Sequence, residues 1–134
     1  MFKRILVAFD GSSPANRAAH MALALAAKYS AYVTFLIVDC SPPEGGGVGQ
    51  GLNLHSEIKK ASKIAHERGL QDENFKVEVE SGLVAQTVTN YAAHHDCDVI
   101  VMGRRGLGPV KRLFLGSVST EVLSLAECTV IAVR

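Results

Sequence analysis

The stretch that decides the fold is Gly103-Arg-Arg-Gly106-Leu-Gly-Pro-Val-Lys-Arg-Leu-Phe-Leu-Gly116-Ser117, which stands between an apolar run and a helical pattern. The run before it, Val99-Ile-Val-Met102, is short and wholly apolar, as a buried strand is. After it, apolar side chains recur at helical spacing through residue 125. This order predicts a strand, a loop of the size that holds a phosphate, and the start of a helix.

The residue types in this segment suit an oxyanion. Gly103 and Gly106 allow positive φ and a close approach of the backbone to a ligand, and Gly116 would do the same before the helix. We expect Ser117 to cap that helix, so that the amides of residues 117–119 can meet an anion at the positive end of the helix dipole. The hydroxyls of Ser117 and Ser119 would add donors. Four cations and no acid lie in the segment, namely Arg104, Arg105, Lys111 and Arg112. They raise the local positive potential.

Outside this segment, apolar runs alternate with helical patterns in the order βαβαβαβαβ, which predicts a parallel sheet. Residues 4–10, 32–38 and 99–102 are nearly continuous apolar runs, typical of strands covered on both faces. Residues 75–80 alternate strictly and should form an edge strand, and residues 129–133 form the last strand. Ser13 is expected to cap the first helix, with Pro14 in its first position. The glycine-dense residues 45–51 predict a flexible loop, for which a lid over the base is one role to test.

Composition limits the class of protein. With 134 residues and 48% hydrophobic content, residues 1–134 should form a single domain. A net charge of +1 argues against a general binder of nucleic acid or membrane. No apolar run approaches the roughly 18 residues of a membrane span, and a cytoplasmic protein is expected. Three cysteines without CxxC spacing predict neither a disulfide framework nor a zinc site.

The pattern Gly-x2-Gly-x9-Gly-Ser, formed by Gly103, Gly106, Gly116 and Ser117, resembles the nucleotide-binding signature of the universal stress protein family in its ATP-binding branch. Residues 4–12 and 128–134 resemble the family's first strand and turn and its last strand. Ala8 and Phe9 stand where members commonly have Pro-Val or Pro-Thr. The resemblance implies an adenine nucleotide alpha hydrolase-like α/β fold: one doubly wound five-stranded parallel sheet, order 3-2-1-4-5, with helices on both faces.

In such a sheet the ligand lies at the switch point, between the carboxyl ends of the first and fourth strands, where Asp10 and Gly103 fall. The resemblance implies that Asp10 binds the ribose hydroxyls, although its alternative role is that of a turn residue in Asp-Gly-Ser. The remaining implied contacts are, for the base, Ala8, Val38 and Met102; for the ribose and phosphates, Gly103, Arg105 and Gly106; and for the phosphates, Gly116, Ser117, Val118 and Ser119.

The function that the resemblance implies is an ATP-binding stress-response sensor or regulator. No acid lies between Gly103 and Thr120, so hydrolysis should be slow at most, and whether the protein is an enzyme stays open. Any Mg²⁺ would be held mainly by the nucleotide phosphates and water. AMP or a cyclic nucleotide also remains open as the ligand.

Two alternatives have the same fold. One is a dimeric interaction module that binds no nucleotide, for which a broken glycine pattern would be expected. The other is an adenylylating enzyme, whose HxGH-like or SGGxD-like signature is absent. The apolar last strand, at a sheet edge, predicts a homodimer paired through that strand, and a further protein partner is expected without being identifiable.

Overall fold

The computed structural model describes residues 1–40, 48–104 and 116–134. In chain order its elements are β1 (Arg4–Ala8), α1 (Ser13–Tyr29), β2 (Tyr32–Asp39), α2 (Val48–Glu67), a 3-10 turn (Asp72–Asn74), β3 (Phe75–Ser81), α3 (Val84–His94), β4 (Val99–Gly103), α4 (Ser117–Leu125) and β5 (Thr129–Val133). Among the described helices, none has both the length and the apolar character that a bilayer crossing requires.

The strands form one parallel sheet in the order β3-β2-β1-β4-β5, which confirms the predicted fold. The direction of winding reverses between β1 and β4, which pair with Ala8 opposite Met102. Their carboxyl ends therefore lie side by side, and the helices that follow them, α1 and α4, pack on opposite faces of the sheet. The strand with strict alternation, β3, is indeed an edge strand, and its Val79 is 39% exposed.

Two apolar layers cover the sheet, which explains why the central strands are almost wholly apolar. Ile5 and Val7 point into the layer shared with α1 and α2, while Leu6 points into the layer shared with α3 and α4. All three side chains are at most 1% exposed. Burial of both faces of one strand contributes roughly 1.5–3 kcal/mol for each large side chain.

Helix α1 begins one residue away from the predicted position. Its N-cap is Ser12 and not Ser13, because the Ser12 hydroxyl accepts the Ala15 N–H at 3.3 Å. Strand β1 ends at Ala8, two residues before the predicted end, and the Asp-Gly-Ser turn takes the chain into α1.

Helix α2 also departs from the prediction at its start. It begins at Val48, inside the glycine-dense segment that predicted a loop. The apolar stripe of Leu54, Ile58 and Ala61 packs against the core, and a helix once formed extends upstream at low cost. The rest of that segment, residues 45–47, lies outside the described residues, as does any test of its role as a lid. The helix ends at Glu67, shortly before Gly69, a glycine with φ +88°.

Candidate functional site

A cavity of about 440 Å³ opens at the carboxyl end of the sheet, where the winding reverses. Nine of the eleven residues predicted for the site line it, namely Ala8, Asp10, Val38, Met102, Gly103, Gly116, Ser117, Val118 and Ser119. The other two, Arg105 and Gly106, lie outside the described residues. Residues far apart in sequence therefore meet in one cleft, because parallel strands end at the same edge of the sheet.

One part of the cleft is an apolar slot on the face that carries α3 and α4. Ala8 and Met102 lie opposite each other in register, and Val38 extends the slot along β2. Helix α3 contributes Val84 and Val88, which the sequence analysis did not include. Only the packing of α3 shows that its first turns reach the cleft. The slot suits a flat apolar or aromatic group.

Asp10 stands beside this slot in the turn between β1 and α1. Its Oδ1 accepts the Ser12 N–H at 2.9 Å, so the turn role that the sequence allowed is present. Gly11 supports the turn with φ +77°, a conformation that favours glycine. Because this hydrogen bond engages one carboxylate oxygen, Asp10 can shape the turn and still direct an acceptor oxygen at a ligand.

Gly103 lines the cleft, and the structure gives a reason for glycine that the sequence did not indicate, while the predicted close approach to a ligand stays a prediction. Its φ is not among the positive values of the described glycines. A Cβ at this position would instead lie 2.6 Å from Pro14 Cβ and 2.9 Å from the Pro14 carbonyl carbon. The first turn of α1 thus packs directly on the backbone at the end of β4. Glycine is required here for helix packing.

The first turn of α4 forms another wall of the cleft. Its N-cap is Gly116 and not Ser117, and no side chain caps the helix. The Gly116 backbone is extended, with φ −67° and ψ 161°, so the predicted positive φ is wrong. Ser117, Val118 and Ser119 are the first three helical residues, whose N–H groups have no acceptor within the helix. These amides, at the positive end of the helix dipole, are oriented for an anion.

Ser119 has a structural role that the sequence did not indicate. Its hydroxyl donates to the Arg104 carbonyl at 2.6 Å and lies 3.2 Å from the Gly103 carbonyl, and the residue is 1% exposed. The hydroxyl hydrogen is thus used within the protein in this conformation, and the predicted contact of Ser119 with phosphate stays a prediction. The Gly116 N–H also donates to Arg104 O, at 3.0 Å. Together these bonds join the residues on both sides of the undescribed segment 105–115.

Glu57, a residue of α2, also lines the cleft, and the sequence did not indicate it. Its pKa is raised above the ordinary glutamate value, first by burial, next by the negative charge of Asp10, and further by Asp39, while Lys60 lowers it. No sequence motif includes Glu57, and only the packing of α2 brings it to the cleft. The turn that holds Asp10 and the wall that α2 forms are thus acidic, whereas the wall at α4 presents amides.

Among the residues that the structure describes, no group of metal ligands gathers in the cleft. Across residues 1–40, 48–104 and 116–134, no His, Cys, Asp or Glu side chains form a group of three that could hold a metal ion. The first turn of α4 offers hydroxyl oxygens, and its first acid is Glu121. Such a donor set suits Mg²⁺ only as a partner of phosphate oxygens and water.

A doubly wound α/β sheet with a cleft at its switch point defines a broad class of ligand-binding proteins. The model of the universal stress protein family matches residues 1–134, and the chain belongs to that family. A universal stress protein of Thermus aquaticus is 37% identical over 141 residues, covering all of both chains. The solved structure of the universal stress protein UspA of Lactobacillus plantarum is 29% identical, with a TM-score of 0.77 over 99% of this chain and 98% of that one.

Several solved structures of similar fold contain adenine nucleotides. A universal stress protein in complex with cAMP has a TM-score of 0.80 at 20% identity, over 99% of this chain and 97% of its own. One from Archaeoglobus fulgidus, in complex with dAMP, has a TM-score of 0.78 at 15% identity, over 100% and 98%. One from Arabidopsis thaliana, with AMP bound, has a TM-score of 0.70 at 20% identity, over 98% and 90%. At these identities the likeness establishes the fold alone.

Proposed function

We propose that this protein binds an adenine nucleotide, ATP in the first place, in the cleft at the switch point, and acts as a nucleotide-dependent regulator of a stress response. The observation that carries the proposal is that the apolar slot and the first turn of α4 line one cavity of about 440 Å³. That volume lies in the usual range of roughly 300–1,000 Å³ for small-molecule sites. The nucleotides bound by proteins of the same fold support this ligand class.

Each part of a nucleotide has a matching surface in this arrangement. The base would enter the slot between Ala8, Val38 and Met102, where apolar burial is favourable. The ribose would meet Asp10, and the phosphates would meet the amides of residues 117–119 together with the exposed Ser117 hydroxyl. Gly103 would lie along the ribose, and Arg105 and Gly106 would contact the ribose and phosphates as the family's glycine pattern implies.

Hydrolysis of the bound nucleotide should be slow at most. Phosphoryl transfer to water needs a group that positions the nucleophile, and the first turn of α4 holds only serine, valine and threonine before Glu121. Mg²⁺ fits only as an ion held mainly by the nucleotide's phosphates and water, with the Ser117 hydroxyl as a protein ligand. It would offset phosphate charge there. This chemistry favours the hypothesis that the protein is a regulator that retains its bound nucleotide.

The first experiment is mass spectrometry of the nucleotide that co-purifies with the protein, followed by calorimetric titration with ATP, AMP and cAMP. We expect micromolar binding, equivalent to about 8 kcal/mol, and turnover below about one per second. Failure of every adenine nucleotide to bind would instead favour the nucleotide-free interaction module. Turnover of many per second without a partner would contradict a regulator.

The chain also carries an internal control for where the ligand binds. Cys40 is exposed and lines the cleft, whereas Cys128 is half-buried and lines a separate cavity of about 200 Å³, between the C-terminal part of α3 and the segment that joins α4 to β5. Saturating ATP should slow alkylation of Cys40 and leave that of Cys128 unchanged, as read by peptide mass mapping. Equal protection of both thiols would indicate a general tightening of the fold in place of binding in the cleft.

We also propose that the protein is a homodimer paired through β5. This strand is at the sheet edge, and Val130, Ile131 and Val133 are only half-buried. An apolar edge with unpaired backbone groups favours association, and two-fold antiparallel pairing would cover it. Ala132→Lys changes an exposed residue of β5 and should shift the protein to monomer in sedimentation experiments. A parent protein that is monomeric at micromolar concentration would refute the dimer.

A further inference from the structure

Glu57 lies directly against the turn that carries Asp10. A Cβ added to Gly11 would be 3.3 Å from Glu57 Cγ, so the absence of a side chain at Gly11 lets the two segments approach. Both carboxylates line the same cavity, one from the β1–α1 turn and the other from α2. Helix α2 lies on the face of the sheet opposite the apolar slot. Among its described residues, Glu57 is the one that lines the cleft.

The placement of Glu57 is electrostatically costly. Its neighbours include the carboxylates of Asp10 and Asp39, which together with burial raise its pKa, and Lys60 offsets only part of this. A carboxylate half-withdrawn from water beside like charges is stabilised by O–H donors. Perturbed acids that line a cleft are frequent at functional sites. The cavity therefore favours a ligand that brings hydroxyl donors and no negative charge to this wall.

Two adjacent hydroxyls on one ligand match this wall better than one. Asp10 already uses one acceptor site of Oδ1 for the Ser12 N–H, so a second carboxylate in the cleft would let each hydroxyl of a vicinal diol have an acceptor of its own. A second carboxylate from α2 completes the set of acceptors. The ribose of a nucleotide presents such a diol, with its phosphates directed away toward the amides of α4.

We propose that Glu57 is a specificity-determining residue that accepts one ribose hydroxyl while Asp10 accepts the other, so that the pair selects a ribonucleotide over its deoxy form. This inference rests on the proposed nucleotide-binding function. A deoxynucleotide lacks one of the two hydroxyls and leaves a partly buried carboxylate without its donor. Sites that hydrogen-bond a ligand hydroxyl discriminate strongly against an analogue without that hydroxyl. The charge of the pair also disfavours the reversed orientation, with phosphates at the acidic wall.

The test is a calorimetric comparison of ATP, 2′-deoxyATP and 3′-deoxyATP on the parent, Glu57→Ala and Glu67→Ala. Glu67 is on the same helix with its side chain 58% exposed, so its substitution removes the same charge away from the cleft. In the parent we expect each deoxy analogue to bind about tenfold more weakly than ATP, equivalent to about 1.4 kcal/mol. In Glu57→Ala one of the two penalties should fall below about twofold. In Glu67→Ala both should persist.

The outcomes separate this inference from the function on which it rests. If the parent binds ATP and the affinity lost with each deoxy analogue is the same in the parent and in Glu57→Ala, the inference is refuted and the nucleotide-binding function stands. Equal weakening of all three ligands in Glu57→Ala also refutes it, since Glu57 would then act through the fold or the overall charge. A parent that binds no adenine nucleotide refutes both.

Discussion

Replacing Gly103 by alanine tests whether this glycine serves helix packing. The added Cβ would lie 2.6 Å from Pro14 Cβ, 2.9 Å from Pro14 C and 3.1 Å from Ala15 N. Carbon atoms in ordinary contact are about 3.5–4.0 Å apart, so the first turn of α1 must retreat by about 1 Å. Two of these three atoms belong to backbone, which cannot rotate away. The Ser12 cap further fixes this turn.

Overpacking of this kind typically costs about 1–3 kcal/mol, and the backbone contacts place Gly103→Ala toward the upper end of that range. Urea unfolding followed by circular dichroism measures it. With a slope of roughly 2 kcal/mol per molar, a loss of 2 kcal/mol lowers the midpoint by about 1 M. An unchanged slope would show that the unfolded state is not affected.

A double-mutant cycle with Pro14→Gly identifies the contact. Removing Pro14 Cβ eliminates the shortest distance, so Gly103→Ala should cost about 1 kcal/mol less in that background. Gly69→Ala is the matched control. It introduces strain at φ +88° but no contact within 4 Å, and its cost should be independent of Pro14. An unchanged midpoint in Gly103→Ala, with weaker ATP binding, would refute packing as the reason for this glycine.

Four further results are expected. Gly116→Val should retain the fold, because φ −67° suits any residue, yet it should weaken ATP binding at least tenfold, about 1.4 kcal/mol. Adenosine, which lacks phosphates, should bind as before. Unchanged ATP affinity would contradict the role of this turn in phosphate binding. Ser119→Ala should lower the free energy of unfolding by about 1–3 kcal/mol, because it removes a buried donor from a carbonyl, and an unchanged urea midpoint would count against this. Folding raises the pKa of Glu57, so ionised Glu57 destabilises the folded protein above the folded-state pKa, and this cost is absent below the unfolded-state pKa. Glu57→Gln should therefore stabilise the protein at pH 7, with a gain that fades toward about pH 4. Chemical unfolding at both pH values measures the gain. At pH 8, iodoacetamide should modify exposed Cys40 well before Cys97, whose pKa burial raises to about 11, and equal rates in peptide mapping would contradict that burial.

Much of the fold could be predicted because each signal was local. Continuous apolar runs predicted buried strands, and strict alternation in residues 75–80 predicted an exposed edge, since the pleat places successive side chains on opposite faces. The cleft followed from the ends of β1 and β4 once the strand order was known. The start of α2 was mispredicted, because glycines at residues 49 and 51 disfavour a helix that packing downstream stabilises.

The site was harder to predict in detail because the same residue type serves more than one purpose. Glycine spacing identified Gly103 but could not distinguish approach by a ligand from approach by α1. A serine in the first turn of α4 suggested a donor, whereas the direction of the Ser119 hydroxyl depends on where β4 ends. Glu57 carries no motif at all. Its place in the cleft depends on where the helix axis of α2 passes, which is a property of the assembled core.

The bonds from Gly116 and Ser119 to the Arg104 carbonyl affect how the protein could tolerate changes in chain length. They tie together the two points where the chain leaves and rejoins the described core, 3.0 Å apart between Gly116 N and Arg104 O. With the ends already joined, lengthening the intervening segment adds only loop-closure entropy, about 0.6 kcal/mol for a doubling. Insertions between residues 107 and 115, which leave the predicted contact residues Arg105 and Gly106 unchanged, should therefore cost the fold little free energy, so this part of the chain suits the grafting of a reporter peptide.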